Sequence, residues 1–312
     1  RIINIIRALL VTVLVLAVIV PGLLYILLSM SPVQSWLREV GERELSELLG
    51  AQVEIGEVGI SPFNKVVLKD VAVIVEPCDT ALTVDRLGGG IMLWKLIAEH
   101  KPVFSYAEIL GLDARLWRDS LSAPLNIQPV IDKLSKKDKT SPSAQYDLRI
   151  NNIVIRGSRF SYDVMSEPTR QGHFDPHHIH VSDLKADVLL PRIKNDDYIV
   201  DLKRIALDES SGFSIESLSG LFHVSDSAAT VTGLRLELPG SRLSFEPIDT
   251  RYQGWSGLAN GYDVLPVHIA LTDGSYISTD DIAYFVPAVT DMGMVLDLSL
   301  IHISEPTRPE PI

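Results

Sequence analysis

The feature that most constrains this fold is an apolar–polar alternation with a period of two residues, which recurs from Gln52 onward. In one run, Leu234, Leu236 and Leu238 share one parity, and charged residues occupy the positions between them. Because successive side chains of a strand point to opposite faces, each run predicts a strand with one apolar and one polar face. Runs spaced about ten residues apart favour an antiparallel all-β fold over βαβ units. The other runs contain Val53, Ile55, Val58, Ile60, Val67, Val71, Val73, Val75, Phe160, Tyr162, Val164, Leu184, Ala186, Val188, Leu190, Tyr198, Val200, Leu202, Val267, Ile269 and Leu271.

An uncharged apolar segment of 23 residues, Ala8–Met30, precedes these runs. As a helix it would be about 34 Å long, which is enough to cross a hydrocarbon core of about 30 Å. A cleaved signal peptide is the alternative, but its apolar region is shorter, about 7–15 residues. Arg1 and Arg7 lie before the segment, so the positive-inside rule places the N-terminus in the cytoplasm. Residues 1–30 are therefore predicted to be a single-pass anchor in a bacterial inner membrane, with the bulk of the chain in the periplasm.

Composition excludes several classes of protein. The chain has 312 residues, of which 28 are basic and 40 acidic, and its net charge of −12 argues against a nucleic-acid-binding protein. A hydrophobic fraction of 46% is too high for a disordered chain. Cys78 is the single cysteine, which rules out an intrachain disulfide framework and a cysteine-rich zinc site.

The segments after the anchor have different characters. Residues 31–50 predict an amphipathic helix, which either lies on the membrane or caps the adjoining sheet; its net acidic polar face favours the second. Residues 51–134 predict a first α+β segment of the groove, and residues 135–145 a linker or loop. Residues 146–297 predict a β-rich groove segment. Within the first segment, Gly88–Gly90 predicts a turn, and short helices are expected near Leu93–Ala98 and Ile127–Leu134.

We interpret the C-terminal residues as a segment that does not belong to the natural protein. Leu298–Arg308, with the sequence LSLIHISEPTR, resembles the translation of a transposase sequencing adapter. We therefore expect residues 298–312 to be an adapter-derived artefact and exclude them from fold reasoning. On that basis, the natural protein is expected to continue beyond Asp297.

Few residues suggest chemistry. His178 and His180, in the sequence HFDPHHIH, would project from one face of a strand, and imidazoles suit zinc or copper. Their spacing matches no established metal motif, and the alternative is that they are solvated loop histidines. Gly88–Gly90 lacks the lysine and hydroxyl residues of a phosphate-binding loop. We find no catalytic constellation, so the sequence predicts a protein that is not an enzyme and has no cofactor.

Several segments, in their order along the chain, resemble a known family: Ala51–Val75, Ala81–Ile97, Ser211–Val224 and Val231–Phe245. Together with the anchor and the helix, the chain from about Arg7 to Leu296 resembles the translocation and assembly module TamB family of the AsmA-like superfamily, as found in Bacteroidetes-type bacteria. The resemblance implies longer proteins with an elongated, curled antiparallel β-sheet that forms an apolar groove. It also implies phospholipid transport in outer-membrane biogenesis and a BamA-like outer-membrane β-barrel partner. The family provides no catalytic residues.

The expected fold is thus mainly β: an N-terminal transmembrane helix, followed by an elongated, curled antiparallel sheet, or β-groove, with a few short helices. An apolar face on such a sheet can shield acyl chains, since each exposed CH₂ costs about 0.8 kcal/mol. Ordinary core packing is the alternative role for such residues, because a sequence does not show whether a helix covers the face. A scaffold for barrel assembly or secretion, and a membrane-tethered metalloenzyme, are the alternative functions. The candidate lipid-facing residues are Leu184, Val188, Leu190, Leu234, Leu236 and Leu238.

Overall fold

The chain forms two compact, mainly β units with few helices, and antiparallel pairing dominates both. The first unit comprises residues 1–112 and 125–149, and the second comprises residues 113–124 and 150–312. These alternating sequences therefore form strands, as predicted. A computed structural model describes residues 7, 11–12, 15, 19, 22–23, 25–27, 30–61, 65–75, 79–91, 103–135, 147–148, 151–170, 172–194, 197–254 and 267–298.

The first unit combines two helices with a small sheet. Its strands are hydrogen-bonded in the order β1-β2-β3-β4, with β1 and β3 both antiparallel to β2. The two-residue β5 pairs in parallel with the start of β4, an exception to the antiparallel rule. The elements are α1 (Ser31–Leu49), β1 (Gln52–Ser61), β2 (Lys65–Val75), β3 (Asp79–Ile91), β4 (Val103–Arg118, which continues into the second unit), α2 (Gln128–Ser135) and β5 (Asp147–Leu148).

Helix α1 covers the apolar face of this sheet. It ends at Gly50, whose positive φ of 65° forms a left-handed cap, and the Gly50 N–H donates to Ser46 O at 2.8 Å. Gly41 lets the helix approach β1 closely, because a Cβ there would lie 3.2 Å from Ile55 Cδ1. The prediction that this helix caps the sheet is confirmed. Leu37, Leu45 and Leu49 of the helix pack against the buried Val53, Ile55, Val58, Val71 and Val73.

The same helix also blocks the edge of the sheet. β1 is the last strand in the hydrogen-bonded order at this end. The Val53 N–H donates to Ser46 Oγ at 2.9 Å, and the Ile55 N–H donates to Glu42 Oε1 at 3.0 Å. Because an exposed edge is a template for pairing with another chain, these side chains protect β1 from edge-to-edge association.

The prediction of a turn at Gly88–Gly90 is wrong, because these glycines lie inside β3 and pair with Lys65–Val67. A Cβ at Gly90 would collide with the Tyr106 ring and lie 2.6 Å from Ser105 Oγ. A Cβ at Gly88 would lie 3.1 Å from Glu108 Oε2. The glycines therefore make room for side chains of neighbouring strands rather than breaking the strand.

The second unit is built from successive antiparallel strands. Their hydrogen-bonded order is β6-β7-β8-β9-β10-β11-β13-β14, and β12 also pairs with β10. The first six residues of this unit, Asp113–Arg118, are the end of β4. The other elements are β6 (Asn152–Val164), β7 (His178–Lys194), β8 (Asp197–Glu209), β9 (Ser214–Ser225), β10 (Ala228–Glu237), β11 (Arg242–Ser244), β12 (Ile248–Arg251), β13 (Tyr276–Ser278), α3 (Thr279–Ile282), a 3₁₀ turn (Pro287–Val289) and β14 (Val295–Asp297).

A predicted strand at Val267–Leu271 is not formed. Leu271 makes an isolated bridge with Phe245, and the Glu246 N–H donates to Ala270 O at 2.9 Å. The pairing described for this segment is limited to this bridge, although the residues alternate as a strand would.

Most of the predicted anchor lies outside the described residues. Those that are described between Arg7 and Leu27 are helical, and apolar side chains among them, such as Val11 and Leu23, are exposed. Within the described part of the chain, no helix has the length and apolar character needed to cross a bilayer. The predicted helix at Leu93–Ala98, Cys78, residues 136–145 of the predicted linker and residues 299–312 of the tail also lie outside it. The helix predicted at Ile127–Leu134 is confirmed as α2.

Candidate functional site

A row of apolar side chains crosses the sheet of the second unit. Residues directly opposite each other in an antiparallel ladder lie on the same face. Pairing therefore connects six residues on six successive strands, β6 to β11. At about 4.8 Å between strands, five spacings give a row about 24 Å long. The row is Ile155, Ala186, Ile205, Leu218, Leu236 and Leu243.

Further rows lie beside the first on the same face. Moving two residues along β7, β8 or β9 from a member of one row leads to a member of the next row, because residues two apart in a strand point to the same side. In the second row, Gly220 lies opposite Leu202. Leu234 fills the space beside Gly220, because a Cβ added to Gly220 would lie 3.3 Å from it. We call these rows together the apolar face. They are Ile153, Val188, Leu202 and Gly220; Val200, Phe222, Val231 and Ile248; and Tyr198, Val224, Ala229 and Thr250.

The opposite face of the same strands is mainly polar. Asp187 lies opposite Arg204, and its carboxylate also binds the guanidinium of Arg156 at 2.6 Å. Asp201 forms an ion pair with Lys203 at 2.7 Å. The sheet of this unit is therefore amphipathic, with its charges on one side.

The apolar face is only partly covered by the protein itself. Ala186 and Leu202 are buried, but Ile155, Ile205, Leu218 and Leu236 are half-buried. Each described strand mainly contacts the strands beside it. The helix described in this unit is α3, and it contacts β13. Both clusters of fully buried apolar residues in the described part of the chain lie in the first unit. Among the described residues, the half-buried side chains of this face therefore keep exposed area that an apolar ligand can contact.

The predicted lipid-facing residues occupy different places. Val188 and Leu236 are members of the rows, and Leu234 lies against Gly220. Leu184 lies opposite the buried Ser158, two residues before Ala186. Leu190 follows Val188 at an irregularity in the register. Leu238 lies beyond the end of β10 with 8% exposure, and its N–H donates to Ser241 O, so we leave it out of the apolar face.

Sequence reasoning missed several members of the apolar face. On β9, Leu218, Phe222 and Val224 share a parity, but Gly220 interrupts their apolar pattern. On β8, an irregularity in the register places Ile205 on the same face as Leu202, three residues away. A bulge changes the parity of the residues that follow it, so simple alternation does not find them.

The two candidate metal-binding histidines do lie together, as the spacing predicted. Asp163 Oδ1 accepts hydrogen bonds from His178 Nδ1 and His180 Nε2, each at 2.9 Å. His178 Nε2 lies 3.0 Å from the carbonyl oxygen of Glu167. Both partners of His178 only accept hydrogen bonds, so both contacts are hydrogen bonds when both ring nitrogens carry a proton. No lone pair of His178 is then free for a metal, and no described group of three or more His, Cys, Asp or Glu residues is arranged to hold one.

Electrostatics agree with this hydrogen-bonding pattern. The hydrogen bond to Asp163 raises the pKa of His178 above its ordinary value of 6.5, although burial opposes the charge. Burial also opposes ionisation of Asp163, but hydrogen bonds from His180 and His178 outweigh it and lower the pKa of Asp163 below 3.8. The cluster therefore ties the ends of β6 and β7 to the loop that contains Glu167.

Comparison with protein-family models and with curated proteins finds no match for this chain. The resemblance to the TamB family thus depends on the order of loose apolar motifs and stays a prediction.

Proposed function

We propose that this is an inner-membrane-anchored periplasmic protein that carries phospholipid along its apolar face, in outer-membrane biogenesis. The observation that supports this proposal is the row from Ile155 to Leu243, which crosses six strands without a described helix above it. The polar opposite face suits contact with water. Such a surface can accept acyl chains, because each CH₂ removed from water contributes about 0.8 kcal/mol.

The proposal includes features that the sequence predicts. They are the membrane anchor in residues 1–30, the periplasmic location, and the finer description of the fold as an elongated, curled groove. A BamA-like outer-membrane β-barrel is the proposed protein partner, and nucleic acid is not a ligand. Transport of this kind needs neither a cofactor nor catalytic residues in this chain.

Photo-crosslinking from the two faces tests lipid binding directly. A photoreactive phenylalanine analogue replaces Leu236 on the apolar face in one variant of the full chain and Leu221 in another. Leu221 lies on the opposite face, where it is 39% exposed and pairs with Asp201. After irradiation in cells grown with radioactive phosphate, we expect labelled phospholipid on the Leu236 variant and several-fold less on the Leu221 variant. Equal labelling of both faces would contradict the proposal.

A charge on the apolar face provides the second test. Leu236→Arg is expected to reduce the phospholipid that co-purifies with the full chain, because a guanidinium is costly to bury against acyl chains. Leu221→Arg is the matched control and should leave the bound lipid unchanged. Crosslinks from Leu236 to an outer-membrane barrel protein, with no lipid, would instead favour the scaffold function.

A further inference from the structure

Helix α1 has a large apolar side chain that its own sheet does not use. Leu37, Leu45 and Leu49 pack on the sheet, but the neighbouring Trp36 is 59% exposed. Leu48, at the other end of the helix, is 52% exposed. The helix axis rises about 1.5 Å per residue, so Leu48 lies about 18 Å further along it than Trp36.

The charges of α1 are unevenly distributed along its length. From Ser31 to Arg38 the helix has no acidic residue, and Arg38 is the first charged side chain. All four acidic residues, Glu39, Glu42, Glu44 and Glu47, lie in the rest of the helix. An anionic membrane surface would therefore accept the first two turns and repel the part that contains Leu48.

The start of α1 is also the end nearest to the exposed apolar residues. Leu27 and Met30 are exposed, and α1 begins directly after Met30, whose backbone is extended with ψ of 134°. Trp36 follows six residues later, about 9 Å along the helix. The polar layers of a bilayer add about 5–7 Å on each side of the hydrocarbon core, so Trp36 stays within them when α1 runs along the bilayer surface rather than straight away from it.

We propose that Trp36 lies in the headgroup layer of the membrane and docks the first two turns of α1 on the bilayer surface. Tryptophan is enriched at this depth, because its ring is apolar and its N–H can still bond to water or headgroups. One side of α1 then contacts lipid while the other holds the sheet of the first unit. The inference rests on the membrane anchor in the proposed function, but not on lipid transport.

Depth-dependent quenching of fluorescence tests this docking. The full chain is reconstituted into vesicles of phosphatidylcholine and phosphatidylglycerol, with bromine on the acyl chains close to the headgroups. One variant keeps Trp36 alone through Trp94→Phe, Trp117→Phe and Trp255→Phe; the control adds Trp36→Phe and Leu48→Trp. We expect brominated lipid to reduce the emission of Trp36 at least about twofold and to leave the control unchanged. Equal quenching of both, or of neither, overturns the docking.

A second measurement avoids the loss of three tryptophans. In a Cys78→Ser background, Trp36→Cys and Leu48→Cys each receive a nitroxide label. We expect the label at position 36 to be more accessible to oxygen than to a water-soluble nickel complex, and the label at position 48 to show the reverse. The same order at both positions contradicts the inference.

Carbonate extraction separates this inference from the anchor on which it rests. If the chain stays in the membrane pellet and Trp36 is unquenched, the docking is wrong but the anchor stands. If carbonate releases the chain, both are wrong. Crosslinking of phospholipid to Leu236 reports on transport and is independent of either result.

Discussion

The apolar sheet faces of the two units differ in what covers them. In the first unit, α1 packs on the sheet, and Val53, Ile55, Val71 and Val73 are only 3–7% exposed. In the second, equally apolar side chains such as Leu218 and Leu236 are half-buried. Both faces arise from the same alternation of apolar and polar residues, so the covering helix makes the difference.

This difference separates a core from a binding surface. Apolar residues that a helix covers completely gain the full transfer free energy on folding and have no exposed area left for a ligand. Half-buried residues gain part of it and retain area that another apolar molecule can cover. The four predictions below test whether the first unit is a tightly packed core and the second an amphipathic sheet with a surplus of apolar surface.

The largest effect is expected from Ile55→Ala in the first unit. The substitution leaves a cavity under α1, and we expect the free energy of unfolding to fall by about 2–5 kcal/mol. Leu236→Ala, in the second unit, is the matched control and should cost about 1 kcal/mol, because this side chain is only half-buried. Urea denaturation of the full chain in detergent, followed by circular dichroism, measures both. Similar losses would remove the distinction between the two faces.

Gly90→Ala tests how closely β3 and β4 of the first unit pack against each other. The added methyl group collides with Tyr106, so we expect a loss of about 1–3 kcal/mol in the free energy of unfolding. Gly59→Ala, in β1, is the control: a Cβ there would lie 3.7 Å from the nearest atom, Val67 O. Thermal denaturation of both variants would show the difference. A neutral Gly90→Ala would mean that β3 and β4 are not closely packed.

Ser46→Ala removes the hydroxyl that accepts the Val53 N–H at the edge of the first unit. We expect a loss of about 1 kcal/mol, the usual contribution of a single hydrogen bond, and faster amide exchange at Val53. Ser35→Ala, at an exposed position of the same helix, is the control. Hydrogen exchange measured by mass spectrometry distinguishes the two variants. Unchanged protection of Val53 in Ser46→Ala would show that α1 does not seal this edge.

The smallest effect concerns the polar face of the second unit and depends on pH. His178 has a raised pKa when folded, so its contribution to stability is complete below pH 6.5 and is lost as the pH rises through the raised value. Asp163 has a lowered pKa, so its contribution is present above pH 3.8 and is lost as the pH falls through the lowered value. The interaction is therefore strongest between these limits.

His178→Gln tests this pH window. We expect the difference in unfolding temperature between the natural chain and the variant to be larger at about pH 5.5 than at about pH 8.5, since the contribution of the raised pKa declines as the pH rises above 6.5. His173→Gln, at an exposed position, is the control. A constant difference across this range would show that folding does not raise the pKa of His178.

Much of the fold follows from local pattern, and the exceptions have physical causes. The strands around Leu236 and Val188, and the helix that ends at Gly50, lie where the sequence predicts them. Gly88–Gly90 lies in a strand because residues of β4, distant in sequence, fill the space beside it. Ile205 lies on the apolar face because of an irregular register, which depends on both neighbouring strands. Such long-range effects are absent from a short window of sequence.

By itself, the sequence determined that this chain forms amphipathic strands with a helix before them, because side-chain alternation and helix capping are local properties. Only the tertiary structure decided which strands share a row, because register across six strands depends on every pairing and bulge between them. It also decided that α1 covers the apolar face of the first unit, and that described apolar side chains on the face of the second are left half-buried. That choice depends on where a helix packs, and therefore on contacts between residues far apart in the chain.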